Sequence, residues 1–242
     1  MTCDKIDISR VCREYRSGHC QELTPVWQLK GSDAYFFVSK LDIDADGAPR
    51  AYNPKDEKPP DNHTKALDWL RNLSARDQHG IQGRDGVGPE PGFVISATSL
   101  HNDEYPKNDT RHWVDAETIP YIVLTDYFPA APDKPRVRLG DCAMVIDLKS
   151  GNMSGAIFAD GGNAVGEGSL RLALNLGLDP TASSHPPKVT GYHRLDFLYI
   201  TFPGAHVAPP WDVSEIQKTT TEKFKQWGGM AQVRACFPDS EF

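Results

Sequence analysis

The sequence predicts an α+β protein with a mostly antiparallel or mixed β-barrel core and a few peripheral helices. Short runs of β-branched and aromatic residues outnumber the segments with helical periodicity. Glycine (20 residues) and proline (19 residues) are frequent, which favours many turns and short strands. Strands and helices do not alternate regularly, and no repeat of fixed period is present, so the pattern does not predict a parallel βαβ fold.

The predicted strands are apolar runs bounded by turn residues. In chain order they are 33–43 (DAYFFVSKLDI), 93–100 (FVISATSL), 121–125 (YIVLT), two runs within 138–160, and 196–204 (DFLYITFPG). The two runs within 138–160 flank the turn KSGN, which is the strongest hairpin signal in the chain.

Three segments predict helices, and each has a recognisable start or end. They are 63–75 (HTKALDWLRNLSA), 166–177 (GEGSLRLALNLG) and 212–229 (DVSEIQKTTTEKFKQWGG). The first has leucines at every third position. In the second, Glu167 is expected in the first turn, and Gly177 suits a C-cap. In the third, Asp212 or Ser214 can cap the start, and Gly228 can end the helix.

The chain of 242 residues is long enough for one large domain. We expect an N-terminal arm over 1–32, which is polar and partly irregular, and a single domain over 33–242. The net charge of −7 and the lack of a Lys/Arg cluster argue against a nucleic-acid partner. No apolar run approaches the ~18 residues of a membrane span, so no membrane partner is expected.

The N-terminal segment MTCDKIDISRVCREYRSGHC has no apolar stretch of the kind found in secretory signal peptides. We expect the protein to act in an extracellular or periplasmic location, reached without such a signal, and a cytoplasmic location stays open. The five cysteines are Cys3, Cys12, Cys20, Cys142 and Cys236, and their spacing fits no zinc pattern. Cys142 lies in an apolar run and is expected as a buried thiol, whereas the others can form disulfides because chain ends often lie close together.

The segment DIDADG has three alternative interpretations. Asp42, Asp44, Asp46 and Gly47 fit the first half of an EF-hand calcium loop, but Asn53 stands at the twelfth position, where a bidentate glutamate is required. The second interpretation is an Asp-rich turn closed by Gly47. The third is a set of carboxylates that holds amino groups of a substrate.

The histidines give no local metal motif. The scattered ones are His101, His112, His185, His193 and His206, and none forms an HxH or HxxxH pattern. We therefore expect neither a metal centre nor another cofactor.

Asp160 and Glu167 flank a glycine-rich bend and are the candidate catalytic pair. Asp160 ends an apolar run, where partial burial raises the pKa of a carboxyl group. Glu167, at a helix start, would be favoured in its charged form by the helix dipole. Two carboxyl groups in unlike environments suit an acid and a base. The alternative is that Asp160 serves the turn and Glu167 caps the helix.

Four segments of the chain resemble glycoside hydrolase family 75, the chitosanases. They are DAYFFVSKLDIDADGAPRAYNP, PGFVISATSL, IPYIVL and GDCAMVIDLKSGNMSGAIFADGGNAVGEGSLRLALNLG, and the resemblance runs over roughly residues 33–178. It implies an endo-acting glycosidase in 33–242 that cleaves β-1,4 bonds of chitosan with inversion, through Asp160 and Glu167. The strand pattern is also similar to double-psi β-barrels, a fold that we extend to this chain by analogy.

Six further residues are candidates for substrate binding in such an enzyme. Asp42, Asp44 and Asp46 would offer negative charge to the ammonium groups of glucosamine. Tyr35, Tyr52 and Trp113 would stack on sugar rings, unless they are ordinary core aromatics.

Two other functions remain open alongside a chitosanase. One is a peptidoglycan-cleaving antibacterial effector, which would have a cognate inhibitor or immunity protein as a partner. The other is a non-catalytic module that binds a glycan or a protein on the same scaffold. In the enzyme hypotheses the partner is a polysaccharide, either chitosan or a cell-wall glycan.

Overall fold

The structure is a computed structural model that describes residues 2–56, 64–181 and 188–240. Two histidines of the sequence predictions, His63 and His185, lie outside these residues. The strands are β1 (Lys5–Arg16), β2 (His19–Leu29), β3 (Tyr35–Asp44), β4 (Gln78–Ile81), β5 (Val94–Ser96), β6 (Tyr121–Thr125), β7 (Asp141–Asp147), β8 (Met153–Gly162), β9 (Glu167–Ser169) and β10 (Tyr192–His206). The α-helices are α1 (Leu170–Asn175), α2 (Val213–Trp227) and α3 (Gly229–Cys236).

Six strands close into a mixed barrel, in the order β3-β10-β7-β8-β6-β9, with β9 pairing back to β3. The β6–β8 and β3–β9 pairs are parallel and the other barrel pairs are antiparallel. Closure leaves these strands without free edges. The predicted α+β class with a mixed barrel core is therefore confirmed, and the helices lie at the periphery.

Several local predictions are also confirmed. The runs around KSGN form the antiparallel pair β7–β8. Helix α2 begins after Asp212, whose side chain accepts hydrogen bonds from the backbone N–H groups of Ser214 and Glu215, and ends at Gly228 in the left-handed conformation. Gly177, with a φ of 76°, follows the end of α1.

The N-terminal segment is more regular than the sequence analysis expected. Strands β1 and β2 form an antiparallel hairpin, and β2 also pairs with β3. The hairpin turns at Ser17 and Gly18, which both have positive φ, as a tight two-residue turn requires. The division of the chain at residue 32 stays a prediction.

The helix predicted over 63–75 is wrong for the residues that the structure describes. Only Leu70–Asn72 form a single 3-10 turn. The Asp68 carboxylate accepts hydrogen bonds from the Trp69 backbone N–H and the Asn72 side chain. The backbone N–H groups of Leu67 and Asp68 donate to carbonyls of the 50–51 segment instead of to helical partners. These hydrogen bonds compete with those that a helix would need, and leucine spacing was the only sequence feature that predicted the helix.

The barrel strands bury apolar side chains on both faces. One cluster contains Phe36, Val123 and Leu198, and it is covered by α2 and α3 through residues such as Ile216 and Val233. The opposite cluster contains side chains from the same strands together with the buried face of α1. Among the described residues, no helix is long and apolar enough to cross a membrane.

Two disulfides join parts of the chain that the sequence analysis expected to pair. Cys3 bonds to Cys236, which links the segment before β1 to the last helix, and Cys12 bonds to Cys20 within the β1–β2 hairpin. Cys142 is a free, buried thiol, as predicted.

Candidate active site

Strand pairing brings Asp160 and Glu167 to the two sides of one residue. Val123 of β6 pairs with Asp160 of β8 on one side and with Glu167 of β9 on the other. Glu167 also pairs with Asp42 of β3. Residues paired across strands project from the same face of a sheet. The two predicted catalytic acids therefore share one face and have Val123 between them.

A β-bulge turns Asp160 onto that face. Ile122 pairs with Phe158, but the next residue of β6, Val123, pairs with Asp160, so Ala159 is the extra residue. Without the bulge, the strict alternation along β8 would direct Asp160 to the opposite face. Bulges of this kind re-aim single side chains, which is the effect here.

Ser99 holds the carboxylate of Asp160 in place. The backbone N–H and the hydroxyl of Ser99 both donate to Oδ1 of Asp160, each at 2.7 Å. The same hydroxyl oxygen accepts a hydrogen bond from the Gly161 N–H at 2.9 Å. Burial raises the pKa of Asp160 above its ordinary value, and the hydrogen bonds from Ser99 oppose that rise.

Glu167 lies in β9 and not in the first turn of a helix, so that part of the sequence prediction is wrong. Helix α1 begins at Leu170, because the Ser169 side chain caps it by accepting from the Leu172 N–H. The helix dipole consequently does not act on Glu167 as expected. Burial, followed by the negative charges of Asp42 and Asp160, raises the pKa of Glu167 to about 7.

Asp44 and Asp46 lie beside Asp160 at the end of β3. One carboxylate oxygen from each of the three residues lies within 4.8 Å of the others. Burial and the charge of Asp46 raise the pKa of Asp44 well above its usual range, and burial and the charge of Asp160 do the same for Asp46. Three carboxyl groups this close cannot all stay ionised without a cation among them. One positive charge among them, from an ammonium group or a metal ion, would stabilise their ionised forms.

The turn after Asp44 has the chemistry of an Asp-rich turn. The Asp46 N–H donates to Oδ1 of Asp44 at 2.8 Å. Gly47 has a φ of 76°, and a Cβ there would lie 2.0 Å from the Val114 carbonyl oxygen. Strand β3 precedes the turn, whereas an EF-hand loop needs a helix there. The interpretation as a turn closed by Gly47 fits the structure, and the EF-hand interpretation does not.

Asp42 faces a different part of the site. Its carboxylate pairs with Lys40 at 2.6 Å, and Lys40 also pairs with Glu14 at 2.6 Å. A pocket of about 230 Å³ opens here, lined by Tyr15, Lys40, Asp42, Asn163, Ala164, Val165, Gly166 and Glu167. Glu167 is therefore reachable from solvent through an acidic pocket.

The three aromatic residues predicted to stack on sugars are buried. Tyr35 has no exposed surface, and its hydroxyl group donates to the Pro135 carbonyl. Tyr52 is 4% exposed and its hydroxyl group bonds Asp46, while Trp113 is 6% exposed and packs against histidine rings. The stacking role assigned to Tyr35, Tyr52 and Trp113 is corrected on this ground, because a buried ring has no face to offer a ligand.

Sequence reasoning missed Ser99, Lys40 and the contact between two histidines. Ser99 lies within a predicted strand, but nothing in the sequence connects it with Asp160, which is 61 residues away. Lys40 alternates with Asp42 in β3, and this spacing could have indicated an ion pair. His101 and His112 stack with ring centroids 4.9 Å apart, although they form no sequence motif.

Comparison with models of protein families gives a match. The family model described as fungal chitosanase of glycosyl hydrolase group 75 matches residues 41–232. No curated protein matches the chain. The matched region contains β6, β8, β9 and the acids they carry. The chain therefore belongs to the chitosanases of glycosyl hydrolase group 75, and the protein is a glycosidase whose substrate class is a polysaccharide.

Proposed function

We propose that this enzyme cleaves β-1,4 bonds between glucosamine units with inversion at the anomeric carbon, with Glu167 as general acid and Asp160 as general base. The observation that carries the proposal is the contrast between the two carboxyl groups. With a pKa of about 7, Glu167 keeps its proton in mildly acidic solution and can protonate the leaving oxygen. Asp160 accepts two hydrogen bonds from Ser99, and such bonds favour the carboxylate that a base requires.

The spacing of the strands supports inversion. Asp160 and Glu167 are separated by one intervening strand, and adjacent strands lie about 4.8 Å apart, so the two Cα atoms are roughly 10 Å apart. Inverting glycosidases keep their carboxyl groups about 6.5–9.5 Å apart, which leaves room for the attacking water. A retaining enzyme needs about 5 Å, which side chains parallel to each other on these strands would not reach.

The charges around the pair support a cationic sugar as the substrate. Asp44, Asp46 and Asp160 converge. Among the described residues, Lys40 is the one lysine or arginine that forms an ion pair with Asp42. An ammonium group among these carboxylates would lower their pKa values, so substrate binding should release protons. The N-acetylated sugars of chitin and of the peptidoglycan glycan strand lack this positive charge.

Tyr15 is the aromatic residue that best fits a stacking role. It lines the pocket beside Glu167 and is 41% exposed. Aromatic rings provide flat apolar surface with a polar tip, which suits the faces of sugar rings. Replacement of Tyr15 by alanine should raise KM for glucosamine oligomers more than it lowers kcat.

The decisive experiment is the release of reducing ends from chitosan by matched variants. Glu167→Gln and Asp160→Asn should each lose about 10²–10⁴-fold in kcat, the usual contribution of a general acid or base. Glu222→Gln and Asp239→Asn change exposed acids in the same way and should keep wild-type activity. Full activity in a folded Glu167→Gln protein would rule out the proposed acid. Cleavage of peptidoglycan but not of chitosan would support the effector hypothesis instead.

Two further measurements test the finer parts of the proposal. Proton NMR of the first products should show the α-anomer if the reaction inverts, and the β-anomer would contradict a water-activating base. An endo-acting enzyme should lower the viscosity of chitosan early, when few reducing ends have formed. If the viscosity falls only in proportion to the number of reducing ends formed, the enzyme cleaves from chain ends.

A further inference from the structure

A second group of potential ligands lies outside the acid pair. His101, Asp103 and His112 each offer one ligand atom, and these atoms all lie within 4.8 Å of one another. A β-bridge between His101 and Trp113 and the 3-10 turn Thr110–His112 bring the two histidines together. The two histidines form neither an HxH nor an HxxxH pattern, which explains why no metal was expected here from the sequence.

Backbone carbonyls fix the tautomer of both imidazoles. Nδ1 of His101 lies 3.1 Å from the Ser99 carbonyl oxygen, and Nδ1 of His112 lies 2.6 Å from the Tyr105 carbonyl oxygen. A carbonyl only accepts, so each Nδ1 carries the hydrogen. In the neutral rings, both Nε2 atoms therefore present a lone pair. Metal-binding histidines are commonly oriented by such bonds on their other nitrogen.

His112 provides an independent sign that a ligand is missing. The residue is only 3% exposed, and its Nε2 atom is buried without a hydrogen-bond partner among the described residues. A buried polar atom without a partner is costly and rare in folded proteins. Since the Tyr105 carbonyl engages Nδ1 of His112, Nε2 is the nitrogen of this ring that can join the ligand atoms of His101 and Asp103.

We propose that His101, Asp103 and His112 form a binding site for a divalent transition metal of the zinc class. The two Nε2 atoms and one carboxylate oxygen would supply three ligands, and water would supply the fourth. Nitrogen donors select zinc-like ions over calcium or magnesium, which prefer oxygen. Zinc–nitrogen bonds of about 2.0–2.1 Å require ligand atoms roughly 3.3 Å apart. His101 and Asp103 have side chains 41% and 87% exposed, so they can close on the fixed His112.

The metal site would be linked to Asp160 through Ser99. The Ser99 carbonyl orients His101, while its N–H and hydroxyl group hold Asp160. A bound metal would therefore restrain the segment that positions the proposed base. The site contains neither of the proposed catalytic acids, so metal binding can be measured without substrate.

Calorimetric titration of the metal-stripped enzyme with zinc chloride tests the site directly. Wild type should bind one zinc ion per chain, and calcium chloride should bind much more weakly to this cluster. His101→Asn and Asp103→Asn should weaken zinc binding at least tenfold. His79→Asn is the matched control. His79 packs against the Trp113 ring and is not one of the three proposed ligands, so its replacement should leave the zinc affinity unchanged.

Two outcomes would overturn the proposal: no zinc binding by wild type, or equal binding by His101→Asn. Either would indicate that His101 only pairs with Asp103, whose Oδ1 lies 3.3 Å from its Nε2. A second readout is thermal unfolding. Zinc at about 100 times the wild-type dissociation constant should raise the unfolding midpoint of wild type by about 5–10 °C, and a site weakened at least tenfold in Asp103→Asn should give at most about half of this rise. Cobalt(II) in place of zinc should give the visible absorption of a tetrahedral centre, which a purely structural role of the histidines would not produce.

Discussion

The hydroxyl group of Ser99 allows a sharp test of the role of Asp160. Ser99→Ala removes one of two hydrogen bonds to Oδ1 and leaves the bond from the backbone N–H. A hydrogen bond to a charged group contributes about 1.5–3 kcal/mol, and 1.36 kcal/mol corresponds to one pKa unit. Because Ser99 is exposed and water can partly replace its hydroxyl, we take the lower limit. The pKa of Asp160 should then rise by about one unit.

The pH dependence of kcat/KM reports this change. A base acts only when ionised, so a higher pKa for Asp160 moves the acidic limb to higher pH. At the acidic end of the profile, kcat/KM of Ser99→Ala should be about tenfold lower than that of wild type. On the plateau at higher pH the two values should be equal. Titration of the substrate amines is common to both variants and cancels in the comparison.

Ser99→Thr is the matched control, since it keeps the hydroxyl group and should keep the wild-type profile. An acidic limb that stays in place in Ser99→Ala would refute the assignment of Asp160 as the titrating base. A shift of the alkaline limb alone would show that the Ser99 hydroxyl acts on a different group.

Three further predictions concern the acid, the core and the disulfides. Asp42→Asn removes a negative charge that raises the pKa of Glu167, so the alkaline limb of kcat/KM should move to lower pH. Lys188→Met leaves the buried carboxylate of Asp56 without its cation and should lower the free energy of unfolding in urea by about 3–5 kcal/mol. Cys3→Ser opens a disulfide that spans 233 residues, and chain entropy predicts a loss of up to about 5 kcal/mol.

Matched variants separate these effects from general damage. An alkaline limb that does not respond to Asp42→Asn would contradict the coupling of that carboxylate to Glu167. Lys134→Met removes a partly exposed ion pair with Asp33 and should lower the free energy of unfolding by less than about 1 kcal/mol. An equally small loss in Lys188→Met would contradict the prediction for the buried pair. Cys12→Ser opens a disulfide over only 8 residues and should cost about 2.5 kcal/mol; a larger loss than for Cys3→Ser would argue against the entropic account.

The sequence predicted elements whose signals are local. The β7–β8 hairpin and α2 were found because turn and capping residues mark their ends. The β1–β2 hairpin was missed although Ser17-Gly18 is a turn signal, since its strands are mostly polar. Strand β9 has three residues, too few for any periodicity to identify it. Glu167 was therefore assigned to the helix that follows.

The site was predictable only in part. The acids at positions 160 and 167 were identified from their types and from the family resemblance, and the structure brings them to one face. Which partners tune them depends on contacts between distant segments, such as Ser99 with Asp160. The burial of Tyr35, Tyr52 and Trp113 likewise follows from tertiary packing, which aromatic character alone does not reveal.

The β6 strand has a consequence for how this family can vary. Val123 separates Asp160 from Glu167, and β9 is held by β6 on one side and β3 on the other. The connection between β8 and β9 consists of residues 163–166, which lie outside the β6 pairings that set the gap between the two acids. Insertions there would remodel the pocket beside Glu167, which these residues help to line, while the pairing of both acids with β6 stayed intact. The length of this connection can thus change the pocket without moving the two proposed catalytic acids.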